Sequence, residues 1–341
     1  MTAADCLSLT PAGLYCKAGD FYVDPLRPVP RALITHGHSD HARPGHGKVL
    51  ATKETLAIMA IRCGADFAKE TQAIAYGESL RLGDANVSFH PAGHVLGSAQ
   101  ILIEHRGQRI VVSGDYKRQS DPTCAPFEPV VCHCFITEAT FGLPVFRHPN
   151  AEVEIAKLLA SLQLFPERSH LVGAYALGKA QRIIALLRGA GYARPIFLHG
   201  SLAELTHYYE STGIALGELR PLAGVKPAKI AGEIVLCPPM ALESLALRGE
   251  TEPRKVFASG WMRVRARARQ RGIELPLIIS DHADWDDLCR TVLETGCEEL
   301  LVTHGEADAL VYWGEGRGLA ARPLHLMGYG DEESENGEAP E

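Results

Sequence analysis

The sequence predicts an α/β fold in which a strand-rich segment is followed by alternating strands and helices and then by a return to strands. Residues 32–141 alternate short apolar strands with turns. From Asn150 onward, apolar residues at helical spacing alternate with strand-like runs. Short strands that end in histidine reappear near residue 275, so the middle segment is predicted to be an insertion into the first domain.

The individual elements follow from apolar alternation for strands and from 3.6-residue spacing for helices. The strands predicted in the first segment and in its return are 85–89, 100–104, 109–113, 277–280 and 300–304. The elements predicted in the middle segment are helices 151–163 and 178–188 and strands 170–172, 196–198 and 233–236.

Composition restricts the class of protein. A chain of 341 residues suggests about two domains, and 46% hydrophobic residues are enough for a packed core. No apolar run is long enough to cross a membrane, and the first residues lack the pattern of a secretory signal. The nine cysteines include no C-x-x-C pair, which is unlike a disulfide framework. We therefore expect a cytoplasmic protein that makes no membrane contact.

Charge is distributed unevenly along the chain. The formal net charge is −7, but residues 331–341 hold acids and no base and are predicted to be a disordered tail. Residues 254–271 hold bases and no acid. Such a run can be a solvated charged face, but uncompensated positive charges repel one another, so we favour a polyanionic partner.

The strongest local signal is a cluster of three imidazoles and one carboxylate within six residues. It reads His36-Gly37-His38-Ser39-Asp40-His41 and follows an apolar run, 32–34, that is predicted to be a buried strand. Imidazole together with carboxylate suits Zn, Mn or Fe, and this density favours a two-metal site. The cluster predicts a metal site, but by itself it names no reaction.

Other candidate ligands share one layout, which is an apolar strand followed by a polar residue. Ligands at strand ends converge at one edge of a sheet, where a rigid scaffold can hold a metal pair. The candidates are His94 after 87–91, Asp115 after 110–114, Glu138 after 135–137, His282 after 277–280 and His304 after 301–303.

The histidine run, together with Gly93-His94 and Ser113-Gly114-Asp115, resembles the metallo-β-lactamase superfamily. Asp24 resembles the acidic residue that precedes the run in that superfamily. Further segments resemble its β-CASP nucleases. They are 92–99, 137–142, Ala176-Leu177-Gly178-Lys179-Ala180-Gln181, Ser280-Asp281-His282-Ala283-Asp284 and Thr303-His304-Gly305-Glu306. Among bacterial members, the chain is most similar to the ligase-associated DNA exonucleases, which share the motif ending in Trp285 and an Arg-rich segment before it.

The resemblance implies a metallo-β-lactamase αββα sandwich with an inserted α/β β-CASP domain. The first part of the sandwich would span 1–148 and its return 275–330. The insertion would span 149–274, and the acidic tail would span 331–341.

The resemblance also implies roles for individual residues. His36, His38 and His94 would hold one divalent ion. Asp40, His41 and His304 would hold the other, and Asp115 would bridge the two. The ions would be zinc, with manganese as an alternative. Asp40, Glu138 and His282 are the expected catalytic residues: a bridging hydroxide would attack the phosphate, and His282, oriented by Glu138, would be the general acid. Alternatively, His282 would mainly stabilise the scissile phosphate.

Five basic residues are candidates for contacts with nucleic acid. Lys179 lies at the start of a predicted helix, where free N–H groups and a lysine favour a phosphate. The alternative is an ordinary helix start without a ligand, and the resemblance to the β-CASP nucleases favours the phosphate contact. Arg263, Arg265, Arg267 and Arg269 recur at every second position. An extended segment would place them on one side, whereas a helix would spread them around its axis.

The implied function is DNA exonuclease activity in DNA repair, with nucleic acid as the partner and a DNA ligase or helicase as further repair partners. RNA processing is the alternative, because a histidine at the position of His304 is associated with RNA-processing β-CASP members. Hydrolysis of a small thioester or lactone is a further alternative, since the superfamily supports several chemistries.

Overall fold

The computed structural model describes residues 6–246 and 252–324. Within these residues the chain forms two compact units. Unit 1 contains the residues up to 120, 124–147 and those from 282 on, and unit 2 contains 121–123 and 148–281. The predicted acidic tail lies outside the described residues.

The first sheet of unit 1 has six strands in the order β1-β2-β3-β4-β5-β6. β1 to β3 are antiparallel, and β3 to β6 are parallel. The elements of this layer are β1 (Leu7–Thr10), β2 (Gly13–Cys16), β3 (Phe21–Val23), β4 (Arg31–Leu33), β5 (His46–Ala51), α1 (Lys53–Cys63) and β6 (Ala68–Ala73).

The second sheet of unit 1 has seven strands in the order β19-β18-β11-β10-β9-β8-β7. β19, β18, β11 and β10 are parallel, whereas β10 to β7 are antiparallel. The strands are β7 (Ser79–Leu82), β8 (Ala85–Pro91), β9 (Ala99–His105), β10 (Gln108–Val112), β11 (Cys134–Ala139), β18 (Glu299–Gly305) and β19 (Ala320–Pro323). The helices are α7 (Trp285–Thr295) and α8 (Ala307–Glu315).

The two sheets bury a shared apolar core. Phe21, Leu33 and Leu50 of the first sheet lie in one cluster with Ile101 and Ile136 of the second sheet. The outer face of each sheet is covered by helices. Met59 of α1 packs with Val49 of the first sheet, and Leu288 of α7 and Leu310 of α8 pack with Phe135 of the second. Unit 1 is therefore a helix–sheet–sheet–helix sandwich, as the sequence predicts.

Unit 2 contains one parallel sheet of six strands in the order β14-β13-β15-β12-β16-β17. Its strands are β12 (His170–Gly173), β13 (Ile196–Leu198), β14 (Leu219–Pro221), β15 (Ile234–Cys237), β16 (Arg254–Ala258) and β17 (Leu275–Leu277). Its helices are α2 (Ala151–Leu164), α3 (Lys179–Gly189), α4 (Gly200–Ser211), α5 (Leu242–Ala246) and α6 (Arg265–Gln270). The predicted alternation of strand and helix is present in this unit.

Two sequence predictions need correction in this region. The predicted return to the first domain at 275 is too early, because β17 pairs with β16 in the sheet of unit 2 and unit 1 resumes at His282. The predicted strand 277–280 is likewise shifted, since β17 ends at Leu277. No helix among the described residues is long and apolar enough to cross a membrane.

Candidate metal centre

Four candidate residues lie at or just after the C-terminal ends of strands in the second sheet of unit 1. β10, β11 and β18 are parallel neighbours, so their C-terminal ends lie side by side. Asp115 follows β10, Glu138 lies near the end of β11, and His304 lies near the end of β18. β8 has the same direction as β10, since both are antiparallel to β9, and His94 follows it.

Three imidazoles and a carboxylate form the tightest cluster. Nδ1 of His38 lies 3.1 Å from Nε2 of His36 and 2.9 Å from Nε2 of His94. Oδ2 of Asp115 lies 3.4 Å from Nε2 of His36 and 3.8 Å from Nε2 of His94. All four residues are buried, and their candidate ligand atoms lie within 4.8 Å of one another.

The remaining predicted ligands lie near Asp115 and His41. Nε2 of His41 is 3.5 Å from Oδ2 of Asp115 and 3.6 Å from Oδ2 of Asp40. The rings of His41 and His304 have centroids 5.2 Å apart. The structure thus brings together all seven residues that the sequence proposes as ligands, and Oδ2 of Asp115 lies close to members of both sets.

Asp24 holds the histidine run in place. Its Oδ2 accepts hydrogen bonds from Nδ1 of His41, at 2.8 Å, and from Oγ1 of Thr35, at 2.6 Å. Its Oδ1 accepts a 2.8 Å bond from the backbone N–H of Thr35. A carboxylate on Nδ1 of His41 directs Nε2 toward Asp115 and makes that nitrogen a stronger ligand. Thr35 was not identified from the sequence, because this residue supports the site only through its hydrogen bonds to Asp24, which the sequence does not show.

Burial and charge set the protonation of the cluster. Burial, followed by the charge of His41, lowers the pKa of His36 and of His304 to about 3. Burial also lowers the pKa of His94 well below its ordinary value. At neutral pH these three imidazoles are therefore uncharged, which is the form that binds a metal.

His41 behaves differently from the other histidines of the cluster. Burial by itself lowers the pKa of His41, but the carboxylates of Asp115, Asp40 and Asp24 outweigh burial and raise this pKa to about 10. Burial by itself raises the pKa of Asp115, but the interactions of this carboxylate with His41, His36 and His282 together outweigh burial and hold the pKa well below its ordinary value. A metal ion that binds at His41 must therefore displace a proton.

The backbone is unusual where it approaches the cluster. Asp24 and His304 have φ of 42° and 56°, a region that costs non-glycine residues free energy and often marks functional sites. Gly93 and Gly114 also have positive φ. A Cβ at Gly93 would lie 2.3 Å from the carbonyl oxygen of Lys117, and one at Gly114 would lie 2.7 Å from the side chain of Thr35.

Glu138 and His282 form a pair beside the cluster. Nδ1 of His282 lies 2.9 Å from Oε2 of Glu138, and Oε1 of Glu138 accepts a 2.7 Å bond from the backbone N–H of Tyr116. Glu138 is fully buried, and the ring of His282 lies 4.7 Å from that of His94. The backbone N–H of Tyr116 holds the carboxylate of Glu138 in place. Because its other oxygen accepts the proton on Nδ1 of His282, the carboxylate fixes the tautomer and the direction of the imidazole.

The chemistry of this donor set fits divalent metal ions. Ligand nitrogens around a tetrahedral zinc ion lie about 3.3 Å apart, close to the 2.9 and 3.1 Å separations that His38 makes with His94 and His36. Imidazole and carboxylate ligands suit Zn and Mn alike. Asp115, Glu138 and His282 form a second group with converging ligand atoms. Both oxygens of Glu138 already accept hydrogen bonds, so this group is less suited to an ion.

Lys179 opens α3, as the sequence predicts, but its side chain does not face solvent. Its side chain is fully buried, and Nζ donates to the carbonyl oxygen of Ile279 at 3.1 Å and lies 3.3 Å from Oδ2 of Asp281. A buried ammonium that is already paired cannot take a phosphate, so its prediction as a contact for nucleic acid is not retained.

The four candidate arginines are exposed. Arg263 ends a 3₁₀ turn, and Arg265, Arg267 and Arg269 lie on the short helix α6. They are therefore spread around an axis and do not line one side. The guanidinium of Arg267 stacks 4.1 Å from the ring centroid of Trp261. Among the described residues, no carboxylate pairs with Arg263, Arg265 or Arg269.

Comparisons with known proteins identify relatives of this chain by sequence. No family model matches the chain. A probable DNA ligase of Opitutus terrae is 30% identical over 322 residues, which cover 91% of this chain and 30% of the ligase. A ribonuclease of Thermus thermophilus is 29% identical over 211 residues, 54% of this chain and 49% of the ribonuclease. The chain thus spans about half or less of the length of these relatives.

A solved structure agrees in fold. A protein of unknown function from Enterococcus faecalis V583 superposes with a TM-score of 0.51 at 16% identity, over 80% of this chain and 74% of that one. With the motifs, the sandwich and its metal-ligand cluster, the matches to the ligase and the ribonuclease show that the chain belongs to the metallo-β-lactamase superfamily. Within that superfamily, it belongs to the β-CASP group.

The contact between Asp24 and His41 generates a testable prediction. Asp24→Asn keeps the volume of the side chain and tolerates the positive φ, but it removes the carboxylate from Nδ1 of His41. We expect the zinc affinity to fall about 10–100-fold, measured by competition with a chromophoric chelator. Asp115→Asn changes a proposed ligand and should lower the zinc affinity further. His105→Gln lies away from the cluster and should bind zinc with the wild-type affinity. An unchanged affinity in Asp24→Asn would contradict the role given to Asp24.

Proposed function

We propose that this chain is a two-metal phosphodiesterase that cleaves nucleic acid, most of all DNA, as an exonuclease in DNA repair. The observation that carries the proposal is the Glu138–His282 pair, with 2.9 Å between Nδ1 and Oε2, beside the cluster around Asp115. A cluster of metal ligands by itself is compatible with many hydrolase activities. A buried histidine held by a buried carboxylate adds the proton donor that a departing sugar oxygen needs.

The residues divide into two tasks. His36, His38 and His94 would hold one ion, Asp40, His41 and His304 the other, and Asp115 would contact both. Bound divalent ions would lower the pKa of a coordinated water and neutralise phosphate charge. Zinc is the ion we propose first, because three of the ligands form an all-imidazole set.

His282 performs the second task, which is proton transfer. Its Nδ1 faces Glu138, so Nε2 is the nitrogen that gives a proton to the leaving oxygen. Glu138 is held by the N–H of Tyr116, so its carboxylate keeps the imidazole in one tautomer and stabilises its charged form. Asp40 shares the ligand set with His41, which makes it essential to the reaction.

Three observations bear on whether the substrate is DNA or RNA. The match to the probable DNA ligase covers 91% of this chain and supports DNA. The match to the ribonuclease covers 54%, and His304 is the residue type associated with RNA-processing members of the group, so RNA processing is the second candidate. DNA is favoured because the match to the ligase extends through both units.

The deciding experiment presents end-labelled single-stranded DNA, duplex DNA and RNA to the purified protein with Zn or Mn. We expect DNA to be shortened stepwise from one end, and product lengths on a sequencing gel measure the polymer, the polarity and the mode together. Cleavage of RNA alone would replace the DNA proposal with the second candidate. No cleavage of any polymer, with turnover of a thioester or lactone, would overturn the nuclease proposal.

The general-acid role predicts a separation of activity from metal binding. His282→Ala should slow cleavage about 10²–10⁴-fold while the metal content, measured by mass spectrometry, stays at the wild-type level. His105→Gln is the matched control and should retain both. Loss of metal in His282→Ala would make His282 a ligand and would contradict its assignment as the proton donor.

The arginines of α6 predict a change in salt dependence. Each phosphate contact contributes about 0.9 to the slope of log K against log salt for duplex DNA. The double variant Arg265→Gln/Arg267→Gln should bind more weakly and with a shallower slope, measured by fluorescence anisotropy on metal-free protein. Arg220→Gln, an exposed arginine of unit 2 paired with Glu218, is the control. An unchanged slope in the double variant would exclude these two arginines from the interface.

A further inference from the structure

Unit 2 contains two fully buried cations that the proposed mechanism does not use. Lys179 and Arg182 lie three residues apart on α3 and therefore share one face of the helix. Both side chains have no exposed surface. Nζ of Lys179 lies 3.3 Å from Oδ2 of Asp281. The guanidinium of Arg182 lies 3.3 Å from Oδ1 of Asp281 and 3.6 Å from Oδ2 of Asp121.

The same two cations also bind the backbone next to Asp281. Nζ of Lys179 donates to the carbonyl oxygen of Ile279 at 3.1 Å. Nη1 of Arg182 donates to the carbonyl oxygen of Ser280. Three consecutive residues, 279–281, are thus anchored to α3 by charge-assisted bonds, which are about twice as strong as neutral ones. The next residue in the chain is His282.

Stability alone does not account for this cluster. Removing each ion from water costs several kcal/mol, and apolar residues of similar volume often serve the stability of a fold equally well. What an ionic network adds is a single arrangement, because every donor must meet its acceptor. The start of α3 is itself held, since Oε1 of Gln181 accepts a 2.9 Å bond from the N–H of Gly178.

We propose that Asp281 is a positioning residue for His282. Through its two buried cations, Asp281 fixes the conformation of residues 279–281, which lead by one peptide bond into His282. Asp281 has no role at the reacting atoms. The inference rests on the proposed function, because it assigns to Asp281 the orientation of the proposed proton donor.

A double-mutant cycle on cleavage of a labelled oligonucleotide tests this role. Asp281→Asn should lower kcat about 10–100-fold, as expected for a misplaced catalytic group, while KM and metal content stay near wild type. In the His282→Ala background the same change should have less than about a twofold effect, because residues that act through one another are not additive. Glu218→Gln, at an exposed carboxylate of unit 2, is the control.

A second variant distinguishes a loss of positioning from a loss of folding. Asp281→Asn leaves a buried cation short of a partner, which destabilises proteins. The double variant Lys179→Met/Asp281→Asn removes one ion of each sign and should fold, as judged by thermal unfolding, yet still show the lowered kcat. Hydrogen–deuterium exchange on metal-free protein adds a readout that does not depend on activity. Exchange should rise in the peptide spanning 278–286 and stay unchanged in β12 and β15.

The outcomes separate this inference from the proposed function. If wild-type protein cleaves DNA and Asp281→Asn slows cleavage equally with and without His282, Asp281 does not act through His282, and the inference is wrong. Exchange that rises throughout unit 2 would also overturn it, since that marks a general structural role. If the wild-type protein cleaves no polymer, the proposed function fails, and unchanged exchange at 278–286 would show separately that Asp281 orders nothing there.

Discussion

The carboxylate of Asp115 is the interaction on which the candidate site depends. One oxygen, Oδ2, lies 3.4 to 3.8 Å from ring nitrogens of His36, His41 and His94. Four buried polar groups at such distances would be costly in an apolar interior, because each loses its water. Mutual pairing lowers that cost in the metal-free protein, and divalent ions would lower it further. Burying these groups therefore costs free energy if they serve only as core packing, and that cost is reduced if they bind divalent ions.

The fold supports this arrangement by bringing the ends of strands to one edge of a sheet. β10, β11 and β18 are parallel neighbours, so residues far apart in the chain arrive side by side. The supporting contacts come from outside the ligand set. Asp24 aligns His41, and the N–H of Tyr116 holds Glu138. This division of labour is typical of precise sites on rigid elements.

Much of this could be predicted from sequence, because the signals were local. The histidine run is contiguous, and each remaining ligand follows an apolar strand. The helices 151–163 and 178–188 match α2 and α3 closely, since amphipathic spacing is a strong signal. The return at 275 was wrong for a physical reason. The sequence of a short apolar strand does not specify which strand it pairs with, and in the structure β17 pairs with β16 of unit 2.

By itself, the sequence determined the fold class, the residue types of the donor set and the pairing of Glu138 with His282, because these follow from local pattern and family resemblance. The tertiary structure decided the rest. It placed Lys179 in a buried ion cluster with Asp281, although free N–H groups and a lysine at a helix start favour a phosphate. It also placed three of the arginines that recur at every second position, Arg265, Arg267 and Arg269, on the helix α6. Burial and partner choice depend on residues remote in the chain, and no local pattern encodes them.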